Sequence, residues 1–203
     1  MPVYADADPE MVAAARRGNL DAYNSLVLQF QDAVYSLAYR LMGDRDIAAD
    51  AAQESVIVAW RRLDSYRGGS FRAWLLKITA NHCYDEFRRR KRAPSVSLEA
   101  VTGEDDSFLP IAANDETPEQ AVQRVELQRA IQRCLMALPP DQRVVAVLSD
   151  VEGFEYQAIA EQVGAALGTV KSRLSRARAA LRECLRDALE LPGPSERLTP
   201  RDG

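Results

Sequence analysis

The chain has 203 residues, 47% of them hydrophobic, and carries 26 Lys and Arg against 30 Asp and Glu for a formal charge of −4. That apolar content suits one packed domain or two small ones and excludes a disordered chain. The acidic start, MPVYADADPE, lacks the apolar stretch of a secretory signal, and the longest apolar runs, such as residues 56–60, are far too short to cross a bilayer, so neither export nor membrane insertion is expected.

Val27, Phe30, Val34, Leu37 and Leu41 recur at helical spacing, and the pattern breaks at Gly43. A second helix is expected over about residues 46–63. Residues 66–70 read as a turn in which Gly68 and Gly69 open backbone angles that other residues avoid. Ser70 is placed to cap a third helix that runs to about Arg92, where Pro94 stops it. On a helical wheel, Leu75, Leu76, Ile78, Cys83 and Phe87 share one side, while Trp74, Lys77, Asn81, Tyr84 and Arg88 line the other. Rings stack unpaired bases at roughly 1–3 kcal/mol each and cations follow phosphates, so this second stripe suits single-stranded nucleic acid. Trp74 and Tyr84 fit the edge of the core equally well. His82 falls on the buried side.

Charge divides the chain. Residues 71–92 hold Arg72, Lys77, Arg88, Arg89, Arg90, Lys91 and Arg92 against Asp85 and Glu86, and residues 168–186 hold Lys171, Arg173, Arg176, Arg178, Arg182 and Arg186 against Glu183. Between them, residues 99–119 carry acids and no cation, with Gly103, Pro110 and Pro118 interrupting any pattern, and read as a solvated linker. Two basic modules on an acidic tether suit two contacts with one polyanion. Charge runs alone fit solvated helix faces better, so the reading depends on the residues between the charges.

In the second module, Ile131, Cys134, Leu135 and Leu138 form an amphipathic stripe that ends at Pro139 and Pro140. Asp141 is placed to cap the next helix and Gly153 to end it. A short helix over about 155–163, a turn at Gly164 and the cationic segment GTVKSRLSRARAALR then match the pattern of a helix-turn-helix. Val170, Leu174, Ala177, Leu181 and Leu185 share a buried side. Thr169, Ser172, Ser175 and Ala179 point outward, small enough to enter a major groove, with Lys171, Arg176, Arg178 and Arg182 on the flanks. The tail from Leu191 is too rich in Pro, Gly and polar residues for a packed element.

The three cysteines, Cys83, Cys134 and Cys184, are odd in number and widely spaced, which argues against a disulfide framework and fits a reducing cytosol. One histidine and no paired-cysteine motif argue against zinc, and with no phosphate-cradling Gly-rich loop no cofactor is expected. His82, Cys83 and Asp85 are neighbours on a helix and point in different directions, whereas a nucleophile and its base come together from distant parts of a fold; the chain is not read as an enzyme.

These stretches, in this order, resemble an extracytoplasmic-function sigma factor, a bacterial initiation factor of the sigma-70 superfamily. The resemblance implies an all-α fold of two small helical domains: residues 1–93 for core polymerase binding and −10 recognition, a flexible acidic linker over 94–119, and residues 120–190 with the −35-reading helix-turn-helix. DIAADAAQESVIVAW resembles the polymerase-binding helix, which assigns Asp50, Gln53, Glu54 and Trp60 to core RNA polymerase; Val58 stands where the family often has a long cation. Exposed carboxylates and an amide offer a partner's arginines charge-assisted bonds. FRAWLLKITANHCYDEFRRRKR is similar to the segment that melts and reads the −10 element, implying roles for Tyr66, Arg72, Trp74, Lys77, Asn81 and Arg88. GTVKSRLSRAR resembles the −35-reading helix, with Thr169, Lys171, Ser172, Ser175 and Arg176 facing the groove and Arg173 or Arg178 the phosphates; Ala166 stands where the family often has Ser or Pro. The same resemblance implies promoter DNA and an anti-sigma factor as partners and a cytoplasmic location. The rival reading is a helix-turn-helix regulator that is no polymerase subunit, and residues 50–60 discriminate the two.

Overall fold

The computed structural model describes residues 6–92 and 117–190. The stop expected at Pro94, the acidic segment up to residue 116 and the tail from Leu191 lie outside the described residues. The first module comprises α1 (Pro9–Arg16), α2 (Leu20–Met42), α3 (Arg45–Arg61) and α4 (Phe71–Arg92), with a single 3-10 turn, Leu63–Ser65, after α3. The second comprises α5 (Pro118–Ala137), α6 (Pro140–Ala146), α7 (Tyr156–Val163) and α8 (Leu167–Glu190). Every regular element among the described residues is helical, and none is long and apolar enough to cross a membrane.

Local chemistry sets the helix ends. Asn19 and Asp44 cap α2 and α3 by accepting from the backbone N–H groups of Ala22 and Ile47. Gly43 closes α2 in the left-handed region at φ 79°, where a Cβ would also collide with the Met136 thioether. Gly164 closes α7 in the same way at φ 63°. Ser70 caps α4 as its position suggests, with Oγ accepting from Ala73 N at 3.1 Å.

Four expectations about the fold need correction, and one helix is new. The new helix is α1, for which no element is predicted: Asp8 accepts from Glu10 N and Pro9 opens the helix, which buries Val12 and Ala15. The linker ends earlier than residue 119, because Thr117 and Gln120 form a reciprocal capping box and Pro118 occupies the first turn of α5. Asp141 does not cap α6; that helix starts at Pro140 without a side-chain cap, and the Asp141 carboxylate is committed elsewhere. Cys134 and Cys184 are joined in a disulfide with Cα atoms 5.7 Å apart, since α5 and α8 pack side by side and bring positions separated by 50 residues together. Ile131, expected on the buried stripe of α5, is 37% exposed.

The two modules share one core. Leu26, Leu37, Leu41, Leu75 and Leu76 of the first are continuous with Leu135, Val144, Leu148, Ile159 and Val170 of the second. Polar bonds cross the seam: Gln132 Nε2 donates to Tyr39 O at 2.9 Å and Gln162 Nε2 to Lys77 O at 3.2 Å. At its centre lies Arg143, 7% exposed, whose guanidinium donates to Leu41 O (2.6 Å), Met136 O (3.0 Å) and Leu138 O (3.1 Å) and sits 5.6 Å from the centre of the Phe87 ring. Helix C-termini leave carbonyls without intrahelical donors. Arg143 serves the ends of α2 and α5 at once, which ties one module to the other.

Candidate nucleic-acid and polymerase interface

The α3 helix presents Asp50 and Gln53 as exposed side chains, with Glu54 half-buried beside them. They line a groove of about 500 Å³ against α4, where His82, Glu86 and Arg90 form the opposite wall. Glu86 pairs with Arg89 at 2.6 Å and Arg90 at 2.8 Å, and the Arg89 hydrogen bond holds its carboxyl below the usual range. Trp60 is half-buried and packs at a tilt on Tyr23, ring centres 4.8 Å apart, and the Tyr23 hydroxyl donates to Val56 O at 2.6 Å. It anchors α3 on α2 and so orients the Asp50 edge. His82, read as buried, is half-exposed in this groove, while Cys83 is fully buried and its thiol is pushed up to about 12 by desolvation.

The turn before α4 is built on aromatic rings. Tyr66, Phe71 and Trp74 form a cluster with centroids 5.4–5.6 Å apart, and the Tyr66 hydroxyl donates to Gly69 O at 2.5 Å. Of the two roles open to Trp74, the structure places its ring at the edge of this cluster. Asp6 crosses from the N-terminal segment to the start of α4, accepting from Phe71 N at 3.0 Å and Arg72 N at 3.3 Å. Burial pushes the Asp6 carboxyl up, but its hydrogen bonds outweigh that and leave it below the ordinary value. A recess of about 490 Å³ lies between α1 and this turn, lined by Val12, Arg16, Tyr66, Arg67, Gly68 and Gly69.

Farther along α4, Lys77, Asn81 and Tyr84 are half-buried and Arg88 is exposed. The stripe expected to face solvent is partly roofed by the second module, because Tyr84 Oη donates to Asp141 at 3.3 Å and α7 lies against Lys77. Arg72 donates to Glu152 at 2.8 Å.

On α8, Lys171, Ser172, Ser175, Arg176 and Arg178 are exposed, while Thr169 and Arg173 are half-buried. Ser172 Oγ donates to Thr169 O at 2.9 Å and accepts from Arg176 Nη2 at 3.3 Å, which draws the Arg176 guanidinium along the helix. Arg178 donates to both oxygens of Asp150 and reaches Tyr156 Oη at 3.5 Å; that hydrogen bonding raises its pKa and lowers that of Asp150. Arg173 pairs with Asp141 at 3.0 Å. Arg176 and Arg178, close in sequence, therefore have different surroundings. Sequence reading missed Arg40, Asp141 as a partner, Asp150 and Glu152, and the one available signal was that three acids fall within residues 141–152 beside two cationic helices.

The sigma-70 region 2 family model matches residues 26–93 and the sigma-70 region 4 model residues 128–181. The chain is 38% identical over 173 residues to the ECF RNA polymerase sigma factor SigE of Mycolicibacterium smegmatis, covering 85% of this chain and 65% of that protein. It is 36% identical over 188 residues to the RNA polymerase sigma-H factor of Pseudomonas aeruginosa, covering 91% and 96%. Its fold is similar to the sigma factor RpoE of Bartonella quintana, solved in complex with the anti-sigma factor NepR, with a TM-score of 0.60, 30% identity and coverage of 81% and 96%. A chain whose described residues are helical throughout and which carries both regions in order, with such relatives matched over most of its length, belongs to the extracytoplasmic-function sigma factors of the sigma-70 family.

Proposed function

We propose that this chain carries core RNA polymerase to promoters by two sets of side chains. The factor binds polymerase and confers promoter-specific initiation, as its family membership establishes. Asp50, Gln53 and Glu54 meet arginines of the polymerase, with Trp60 holding their helix in place. Lys77, Asn81 and Arg88, together with Tyr66, Arg72 and Trp74 around the 66–70 turn, take the non-template strand of the −10 element. Thr169, Lys171, Ser172, Ser175 and Arg176 read the −35 element, and Arg173 and Arg178 hold its phosphates. Residues 1–93 and 120–190 serve as separate reading heads joined by the acidic segment. Opening a base-pair step costs about 1.4 kcal/mol, so a few captured bases bias melting only once polymerase contacts contribute as well. The work is binding rather than bond chemistry, it takes place in the cytoplasm, and an anti-sigma factor covering the polymerase-facing surface holds the factor inactive.

The observation that carries this reading is the exposed Asp50–Gln53 edge of α3, in the same chain as the exposed cations of α8. A regulator that recruits nothing has no use for the former. Run-off transcription with core polymerase on a randomised promoter library tests it: transcripts should select two elements, and Gln53→Ala with Glu54→Ala should weaken core binding without altering the helical spectrum. Failure to initiate at every sequence offered rejects the assignment.

A further inference from the structure

Glu152 lies at the end of the π-helical turn Val147–Val151 that follows α6, yet both oxygens of its carboxylate face the first module. Oε2 accepts from Arg72 Nη2 at 2.8 Å, and Oε1 lies 3.7 Å from Arg40 Nη1. Arg40 comes from the last turn of α2 and Arg72 from the first turn of α4, so two rigid elements aim their guanidinium groups at one point. The Glu152 side chain is only 3% exposed, whereas Arg40 and Arg72 keep 32% and 23%. Two other acids of the same stretch behave alike: Asp141 binds Tyr84 and Arg173, and Asp150 binds Arg178. Residues 141–152 thus place carboxylates on groups from both DNA-facing helices.

A guanidinium offers parallel N–H donors that fit the paired oxygens of a carboxylate and of a phosphodiester alike. A buried carboxylate is tolerable only where its charge is matched. The first module provides that match with two cations, and the anion comes from a separate module. We propose that Arg40 and Arg72 form a phosphate-binding site for the backbone of single-stranded promoter DNA, and that Glu152 fills this site until DNA displaces it. The proposal rests on the reading of α4 as the −10 element helix and adds Arg40 to it. Strand identity follows from position, since Arg72 adjoins the half-buried rings of Tyr66 and Trp74, which suit unpaired bases. Because Glu152 is tethered to the site it fills, it competes as an intramolecular ligand, and the free chain should bind single strands weakly.

The test uses the full chain, a fluorescein-labelled thymidine oligonucleotide as a sequence-neutral probe, and anisotropy over a range of salt. Glu152→Gln should tighten binding by about tenfold or more, because an apparent dissociation constant scales inversely with the open fraction. Glu183→Gln, which removes an exposed acid from α8, is the control for net charge. In the Glu152→Gln background, Arg40→Gln should reverse most of the gain and lower the slope of log K against log salt by about 0.7, the value for one phosphate contact on a single strand. Arg40→Lys should keep that slope, which a merely structural role for Arg40 would not require. If Glu152→Gln behaves like Glu183→Gln, or if Arg40→Gln leaves the slope intact, the proposal is overturned. Run-off transcription and core binding by the unaltered chain test the sigma-factor reading by itself, so the failure of that reading and the failure of this proposal are distinguishable.

Discussion

Replacing Arg143 by Met removes the guanidinium that serves two helix ends while roughly preserving side-chain length. Hydrogen bonds to a charged group contribute about 1.5–3 kcal/mol each, so the bonds to Leu41 O, Met136 O and Leu138 O give a gross loss of roughly 4.5–9 kcal/mol. Against this stands the desolvation that Met does not incur. Burial pulls the Arg143 pKa down from its ordinary value to about 10, which at about 1.36 kcal/mol per unit is roughly 3 kcal/mol. The net cost is therefore roughly 1.5–6 kcal/mol, a drop of about 3–24 °C in Tm for a chain of this size. Thermal and urea unfolding followed by circular dichroism measure it for the whole chain. Trp60 and Trp74, both in the first module, report by fluorescence whether that module loses stability when a residue of the second is changed. A variant whose midpoints match the wild type by both probes refutes the capping argument. A shift confined to circular dichroism refutes the coupling of the modules.

Gly43→Ala should destabilise by about 1–2 kcal/mol from the left-handed backbone alone, and by more from the clash with Met136; Met136→Ala in the same chain should recover only the second part, as a double-mutant cycle in urea will show. Closing the 50-residue loop between Cys134 and Cys184 stabilises by up to about 4 kcal/mol on chain-entropy grounds, so a reductant should lower the Tm of the wild type and leave that of Cys184→Ser unchanged. Because hydrogen bonding to Arg178 lowers the Asp150 carboxyl, the pair stabilises the fold above the ordinary Asp value of 3.8 and is lost as pH falls through the lower folded value; NMR titration of Asp150 should show its midpoint rise in Arg178→Ala. At the −35 element, Arg176→Ala should cost roughly 1–3 kcal/mol at one or two positions and relax specificity there, while Arg178→Ala weakens binding to all sequences alike; identical specificity profiles in a library selection would remove the assigned roles.

Where most of the candidate residues lie was legible in the letters because they are close in sequence. Asp50, Gln53 and Glu54 lie on adjoining turns of one helix, and the cations of α8 repeat at helical spacing, so a wheel places them without knowledge of the fold. The α1 helix was legible in principle, since Asp8 before Pro9 is a start signal, but its few apolar residues gave no period long enough to notice. Trp74 was ambiguous because a ring at a helix edge is decided by its neighbours, and Tyr66 and Phe71 are brought to it by a turn. Arg40 and Glu152, 112 positions apart, share no local pattern, and nothing in either segment announces the other.

The sequence by itself determined most of the helices, several of their ends and the family, because hydrogen bonds within a helix, caps and glycine turns depend on residues within a few positions of each other. Only the tertiary structure decided that the modules close on one core, that Arg143 caps helices from both, that Cys134 meets Cys184, and that Glu152 sits between Arg40 and Arg72. Those pairings are chosen by the burial of apolar area, which has no direction along the chain and becomes specific only when whole helices pack.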